Sequence, residues 1–362
     1  MIRMVLPPSP STIVNSTAAS VRPAADSSEF SSVGVVVIGR NEGERLRRCL
    51  LSVTGKAAAI VYVDSGSTDG SPAVASALGV DNVELDSSIP FSAARARNAG
   101  LDRLMELRGE LEFVLFVDGD CEVAEAFTAI GRQALLEDAR VAAVAGRLRE
   151  RFPERSVYNR LCDMEWNIPA GETKNCGGIA LFRVCALREA GGFNSRVVAG
   201  EEPELCVRLR QRGWTIRRLP DDMATHDADM THFSQWWKRA VRAGHAYAEG
   251  AAMHGRSAER HFVRESLSGW IYGFAIPIAI VAATIAISPW ALLATLVYPL
   301  LVLRIAAGRR QTHRDPWSHA FLYAGACLLA KPAECFGQAR YWLRHALRRP
   351  PQVTQHQAVS RG

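Results

Sequence analysis

The stretch FVLFVDGDCEV, Phe113 to Val123, ends an apolar run on two aspartates, Asp118 and Asp120, with only Gly119 between them. Carboxylates this close repel one another unless a cation or shared protons relieve them. Glycine adds no bulk between them and admits a turn that other residues resist. An all-oxygen donor set suits a hard divalent ion, Mg2+ or Mn2+, which leaves coordination positions open for phosphate oxygens. The pair is a candidate metal and diphosphate site, and the alternative is a solvated Asp-Gly-Asp turn.

The elements that must position this pair are legible from hydrophobic periodicity. VGVVVIG from Val33 is a strand buried on both faces, followed by a helical segment with Leu46, Leu50 and Leu51 at helical spacing. AAIVYVD is a second strand, Ser71 to Leu78 a short helix, NVELD a weak third strand, SAARARNAGLDRLMEL a helix, and EFVLFVD the clearest strand. This alternation predicts an α/β, Rossmann-like, mostly parallel sheet, and such sheets bind ligands at the carboxyl ends of their strands. Polar turns follow the strands there: Arg40-Asn41-Glu42 after the first, Asp64 to Gly70 after the second, and Asp118 to Asp120 after the fourth. One sheet edge carries the candidate site.

Six segments occur in order and at a spacing that resembles the GT-A catalytic domain of family 2 glycosyltransferases, from about Val33 to Pro220. They are VVVIGRNEGERLRRCL, VYVDSGSTDGS, ARARNAGL, FVLFVDGD, GGIALFR followed by GGFN, and GEEPELCVRLRQRGW. The resemblance implies inverting transfer of a sugar from a nucleotide-diphospho-sugar, UDP- or GDP-linked. It implies that Arg40, Asn41, Glu42 and Asp64 hold the nucleoside, and that Arg95 and Arg97 face the base and phosphates unless they are solvated helix residues. Asp118 and Asp120 match the metal-binding Asp-x-Asp, with Asp120 the direct ligand and Asp118 also near the donor nucleotide. The position of the general base is Glu202, where the family usually has Asp, with Glu201 as the fallback; an acidic first helical turn is the alternative for both. Gly177 and Gly178 let backbone approach donor or acceptor, or mark a tight turn. His226 is a further metal or diphosphate ligand, or a structural histidine.

The second half differs. Residues 266 to 303 are 38 consecutive uncharged residues. A single span needs about 20, so two spans joined at Ser288-Pro289 are expected, the alternative being a buried soluble hairpin. Trp317 to Ala330 is a shorter apolar run, expected to be re-entrant or interfacial and to end at Lys331-Pro332. Gln338 to Pro350 is expected to be a basic, aromatic helix at headgroup level. Arginines flank both ends of the uncharged region and none lies at its tip, which places the α/β domain at the cytoplasmic face of the inner membrane in a multi-pass chain. The expected divisions are a disordered leader at 1–31, the catalytic domain at 32–262, the transmembrane hairpin with its interfacial segment at 266–331, and the basic helix and tail at 332–362.

The net charge is +6, but the basic residues flank apolar spans and no recognition motif is present, which excludes nucleic acid as the expected partner. Eight cysteines show no C-x-x-C pair and read as reduced, structural thiols. QWWKRAVRAG, with Trp236 and Trp237, only partly matches the Gln-x-x-Arg-Trp element of processive synthases, so transfer of one or a few sugars is expected. The expected function is a metal-dependent glycosyltransferase using a lipid-linked or saccharide acceptor at the membrane, in polysaccharide or glycolipid synthesis. The alternatives are a polyprenyl-phosphate sugar synthase and a non-catalytic sugar-nucleotide binder.

Overall fold

A computed structural model describes residues 30–347. The expected leader and the basic tail beyond Leu347 lie outside the described residues. The chain begins β1 (Val33–Gly39), α1 (Glu44–Val53), β2 (Ala59–Asp64), α2 (Ser71–Ala77), β3 (Asp81–Glu84), α3 (Ala93–Leu107) and β4 (Phe113–Asp118). β1, β2, β3 and β4 pair in parallel in the order β3-β2-β1-β4. The central residues of β1, β2 and β4 are fully buried, as strands covered by helices on both faces must be, whereas the edge strand β3 is half-buried. α1 lays Leu46, Cys49, Leu50 and Val53 on the sheet, whereas Leu51 is exposed.

The sheet then changes character. β5 (Cys121–Val123), α4 (Phe127–Glu137), β6 (Val141–Glu150), α5 (Val157–Trp166), β7 (Gly171–Glu172), β8 (Ala180–Arg183), α6 (Val184–Ala190), α7 (Glu201–Gln211) and β9 (Thr215–His226) complete it. β8 runs antiparallel to β4 and β6, and β9 pairs parallel with β6 but antiparallel with β5 and β7. The sheet is therefore mixed: its first half follows the expected parallel pattern and its second half does not. The reason is local, because no crossover helix separates β4 from β5, and β8 enters from a loop.

Beyond β9, α8 (Phe233–His254) is followed by α9 (Val263–Trp270), a π-helical turn at Ile271–Ala275, α10 (Ile276–Ala286), a 3-10 segment at Pro289–Leu296, α11 (Val297–His313) and α12 (Trp317–Ala346). Val263–Ala286 and Pro289–His313 are long and apolar enough to cross a membrane, and only 11% and 6% of their apolar windows are buried. Ile285, Ile287 and Trp290 stand 78% exposed or more. A buried soluble hairpin would hide these side chains, so that alternative does not describe this region.

One expectation on the C-terminal region is corrected. The run from Trp317 does not end at Lys331-Pro332; α12 continues through Pro332 to Ala346 and absorbs the described part of the expected basic helix. Packing overrides the proline. α12 lies on α8 with backbones in contact: a Cβ on Gly337 would collide with the Val241 carbonyl oxygen, and one on Gly244 with that of Glu334. Gln338 adds hydrogen bonds in both directions to Ser266 of α9. Trp236 is buried between α5 and α12 among Leu161, Cys162 and Tyr323, while Trp237 is half-buried beside it.

Candidate active site

The strand order reverses between β1, which is flanked by β2, and β4 on its other side. That crevice at the carboxyl ends is where a ligand fits such a sheet. Ile38 pairs with Asp118, and the Gly119 N–H donates to the Ile38 carbonyl at 2.8 Å, so the Asp118-Gly119-Asp120 turn folds directly over the end of β1. A Cβ on Gly119 would press on Glu42 Cγ and the Ile38 carbonyl, both at 3.2 Å. Glycine here lets Glu42 close over the aspartates. Burial, and then the Asp120 charge, push the Glu42 carboxyl up to about 7.

Asp120 points toward β9. Pairing of Cys121 with His226 across β5 and β9, and of Glu150 with His226 across β6 and β9, sets the imidazole between two carboxylates. His226 Nε2 lies 3.2 Å from Asp120 Oδ2, and Nδ1 lies 3.4 Å from Glu150 Oε2. Burial pulls the imidazole pKa down, but Asp120 and Glu150 outweigh it and raise it to about 10. Asp120, Cys121 and His226 offer ligand atoms within 4.8 Å of one another. Burial, reinforced by Asp120 and Asp118, pushes the Cys121 thiol well above its ordinary range. Its Sγ donates to Asp120 Oδ1 at 3.3 Å, so Cys121 orients the aspartate as a protonated thiol and does not compete as a thiolate. The remaining oxygen and imidazole donors fit Mn2+ or Mg2+.

Arg97 is 2% exposed, so it is not a solvated helix residue, and its guanidinium donates to Asp118 Oδ1 at 2.9 Å, to Glu201 Oε1 at 2.7 Å and to the Gly178 carbonyl at 3.2 Å. It joins two acidic groups 83 positions apart. Arg95 donates to the Ile89 carbonyl at 2.8 Å on the other side of the helix. Gly178 packs on the aspartate, since a Cβ there would meet Asp118 Oδ2 at 2.7 Å, and Gly177 holds φ of +94°.

Glu201 and Glu202 face different surroundings. Neighbouring helix positions diverge by about 100° around the axis, so only one of the pair faces Asp118. That one is Glu201, held by Arg97. Glu202 turns inward, where its Oε1 accepts the Cys176 N–H at 2.6 Å and the Cys176 and Cys206 thiols at 3.0 and 2.9 Å. Burial alone would raise the Glu201 carboxyl, but Arg97 and then Arg242 hold it below its usual value. It is the ionised acidic group on the cleft side.

The nucleoside-side residues form a second cluster. Asp64 is 2% exposed and accepts from the Tyr62 hydroxyl at 2.8 Å, from the Gly66 and Ser67 N–H groups at 2.9 and 2.7 Å, and from the Ser67 hydroxyl at 2.5 Å. The carboxylate thus shapes the loop it was expected to present. Asn41, at φ +57°, reaches the same loop: its Oδ1 accepts the Thr68 N–H at 2.7 Å. Arg40 lies over the Phe91 ring, 5.5 Å from its centroid, and its Nη1 is buried with no hydrogen-bond partner. Arg40 is half-buried, and an unpaired guanidinium nitrogen beside an aromatic ring leaves a charge-assisted donor unused.

Sequence reasoning missed Glu150 and Arg242. Glu150 is 76 positions from His226 in the chain and comes to it only through strand register. No short motif marks either residue.

The family 2 glycosyl transferase model matches residues 34–186, which contain β1 to β4, the Asp118-Asp120 turn and the Gly177-Gly178 loop. Residues 34–186 belong to glycosyl transferase family 2. The chain resembles the Pre-mycofactocin glycosyltransferase of Mycobacterium tuberculosis (strain CDC 1551 / Oshkosh), with 26% identity over 259 residues, 67% of this chain and 52% of that one. It also resembles Glycosyltransferase AglE of Haloferax volcanii, with 23% identity over 59% of this chain and 71% of that one. The chain spans about half the length of the mycobacterial relative. A mannosyltransferase from Pyrobaculum calidifontis, solved with GDP-Man and Mn2+, superposes with a TM-score of 0.56 at 22% identity, covering 87% of this chain and 90% of that one. At that identity the likeness establishes the GT-A fold.

Proposed function

We propose that the chain is a metal-dependent, inverting glycosyltransferase that moves a sugar from a nucleotide diphosphate to an acceptor held at a membrane. One observation carries this reading: a family 2 domain gathers Glu42, Asp118, Asp120 and His226 at its β1/β4 crevice, with the ionised Glu201 across Arg97 from them. Asp120 and His226 would hold Mn2+ or Mg2+, with Asp118 close by. A bound ion supplies Lewis-acid stabilisation of the charge developing on the departing nucleotide diphosphate. His226 would give up its proton to hold the ion, with Glu150 orienting the ring through Nδ1. Arg40 with Phe91 takes the base or phosphate side of the donor.

Inversion requires a base that accepts the acceptor hydroxyl proton on the face opposite the leaving group. Glu201 has the ionisation and the placement for it, with Arg97 fixing its Oε1. The exposed apolar surface of Val263–Ala286 and Pro289–His313 supports a two-span membrane anchor, with the family 2 domain on the cytoplasmic side.

The test uses the full chain in membranes with labelled nucleotide sugars and an acceptor lipid extract. EDTA and Asp120→Asn each abolish transfer, and Mn2+ restores it after EDTA. Glu201→Gln lowers kcat at least about 100-fold, within the range for a lost general base, while Glu202→Gln acts mainly on stability. Transfer that persists in EDTA would sink the metal-dependent reading. A larger kcat loss for Glu202→Gln would return the base to that position.

A further inference from the structure

A small cavity of about 200 Å³ lies where α8 crosses α12. Its cationic lining is Lys238, Arg242, Arg340 and Arg344, and no aspartate or glutamate lines it. Lys238, Arg242 and Arg340 have no ion-pair partner among the described residues. His245, also in the wall, is held down to about 4 by burial and then by Arg344, Arg340 and Arg242, so it stays neutral and adds no positive charge. Lys238, Arg242 and Arg340, crowded into one pocket with no ion pair among them, repel each other and favour an anion that accepts several charge-assisted hydrogen bonds.

The cavity is placed for an acceptor. Val198 forms part of its wall, three positions before Glu201. Arg242 lines this cavity and also a larger one of about 490 Å³ that reaches Gly200, the residue preceding Glu201. The Arg242 charge already acts on the Glu201 carboxyl. Phe336 in the pocket wall is 53% exposed, and Trp342, Leu343 and Leu347, also on or beside α12, are 44% exposed or more. An anion bound here has charge on one side and a lipid-compatible helix face on the other.

We propose that this pocket binds the diphosphate that joins a lipid to its acceptor group, and that Arg242 positions that acceptor group toward Glu201. The assignment rests on the transferase reading above and names the acceptor class for it. At about 200 Å³ the pocket takes a phosphoryl group while excluding a sugar nucleotide. A linking diphosphate carries more charge and more free oxygens than the phosphodiester of a bulk anionic phospholipid, which is the other source of the same chemistry, and dodecyl phosphate is the simplest dianionic lipid probe of the pocket.

The experiment measures binding of dodecyl phosphate to the full chain in phosphatidylcholine nanodiscs, with dodecanol, inorganic phosphate and phosphatidylglycerol as comparators. Dodecyl phosphate binds at least tenfold more tightly than dodecanol or inorganic phosphate. Arg242→Ala and Arg340→Ala each weaken it about tenfold or more, and Arg242→Lys stays within about threefold, which separates charge from a folding defect. Equal affinity for dodecyl phosphate and dodecanol, or unchanged binding in Arg242→Ala, overturns the proposal. Displacement of dodecyl phosphate by equimolar phosphatidylglycerol also overturns it, and makes the patch a general membrane contact. Titration of the wild-type chain with UDP and GDP in Mn2+ is the separate control: failure there refutes the transferase reading, whereas failure of dodecyl phosphate binding alone refutes only the acceptor site.

Discussion

Replacing Arg97 by methionine tests the electrostatic design of the cleft. The side chain volume is roughly kept, and the only buried cation between Asp118 and Glu201 among the described residues is removed. Breaking a buried ion pair from one side costs about 3–5 kcal/mol, because the remaining charge is left without a partner. Here two carboxylates are left, but the Asp118 side chain is 37% exposed against 13% for Glu201, so water screens the first and the cost falls mainly on the second. The lower end, about 3 kcal/mol, is the expected loss. For a domain of this size about 1 kcal/mol moves Tm by roughly 2–4 °C, giving a drop of about 6–12 °C for the full chain in detergent. Arg97→Lys recovers part of it, since a point charge cannot reach both acids with the fork of a guanidinium. A drop below about 2 °C, with donor affinity reduced, would mean that Arg97 serves the donor phosphates and not the two acids.

The crossing of α8 and α12 offers two more checks. Gly244→Val forces backbone apart where Glu334 makes contact, so it lowers Tm by the equivalent of at least about 1–3 kcal/mol. Gly308→Ala, at a helix position with nothing within 4 Å, is neutral or stabilising. Thermal melting of both variants decides this, and equal losses would contradict the close crossing. Burial pushes the Glu249 carboxyl up to about 7 from 4.5, although the Val198 N–H donates to it at 3.1 Å. The folded chain therefore holds that proton more tightly than the unfolded chain, and Glu249 contributes stability that is present below about 4.5 and lost as pH rises through about 7. Glu249→Gln should be more stable than wild type at pH 8 by about 1–3 kcal/mol, with the difference vanishing toward pH 4.5. His261 titrates in the opposite sense and cancels when the variant is compared with wild type, whereas His245, whose Nε2 lies 3.7 Å from Glu249 Oε2, is removed from the comparison by making it in a His245→Gln background. A difference that does not change with pH would refute the assignment.

The parallel half of the sheet was legible because its signals are local. Each apolar run of β1, β2 and β4 ends on a polar turn within a few residues, so strand, edge and carboxylates could be placed together. The uncharged region was legible for the same reason, since length and composition suffice to mark two helices long and apolar enough to cross a membrane. What could not be read was which side chain faces which. Pro332 signalled a helix end, yet the close fit of Gly337 and Gly244 carries α12 through it.

The amino-acid sequence by itself determined the Asp118-Asp120 edge, the family 2 pattern and the presence of an apolar, charge-flanked second half, because each is written in contiguous residues. Tertiary structure alone decided the chemistry of the acids. Glu150 reaches His226 by strand register, Arg97 reaches Glu201 across 104 positions, and the turn of one helix sends Glu201 to the cleft and Glu202 to the interior. Charge interactions depend on distance and burial, and neither is a property of a residue's place in the chain.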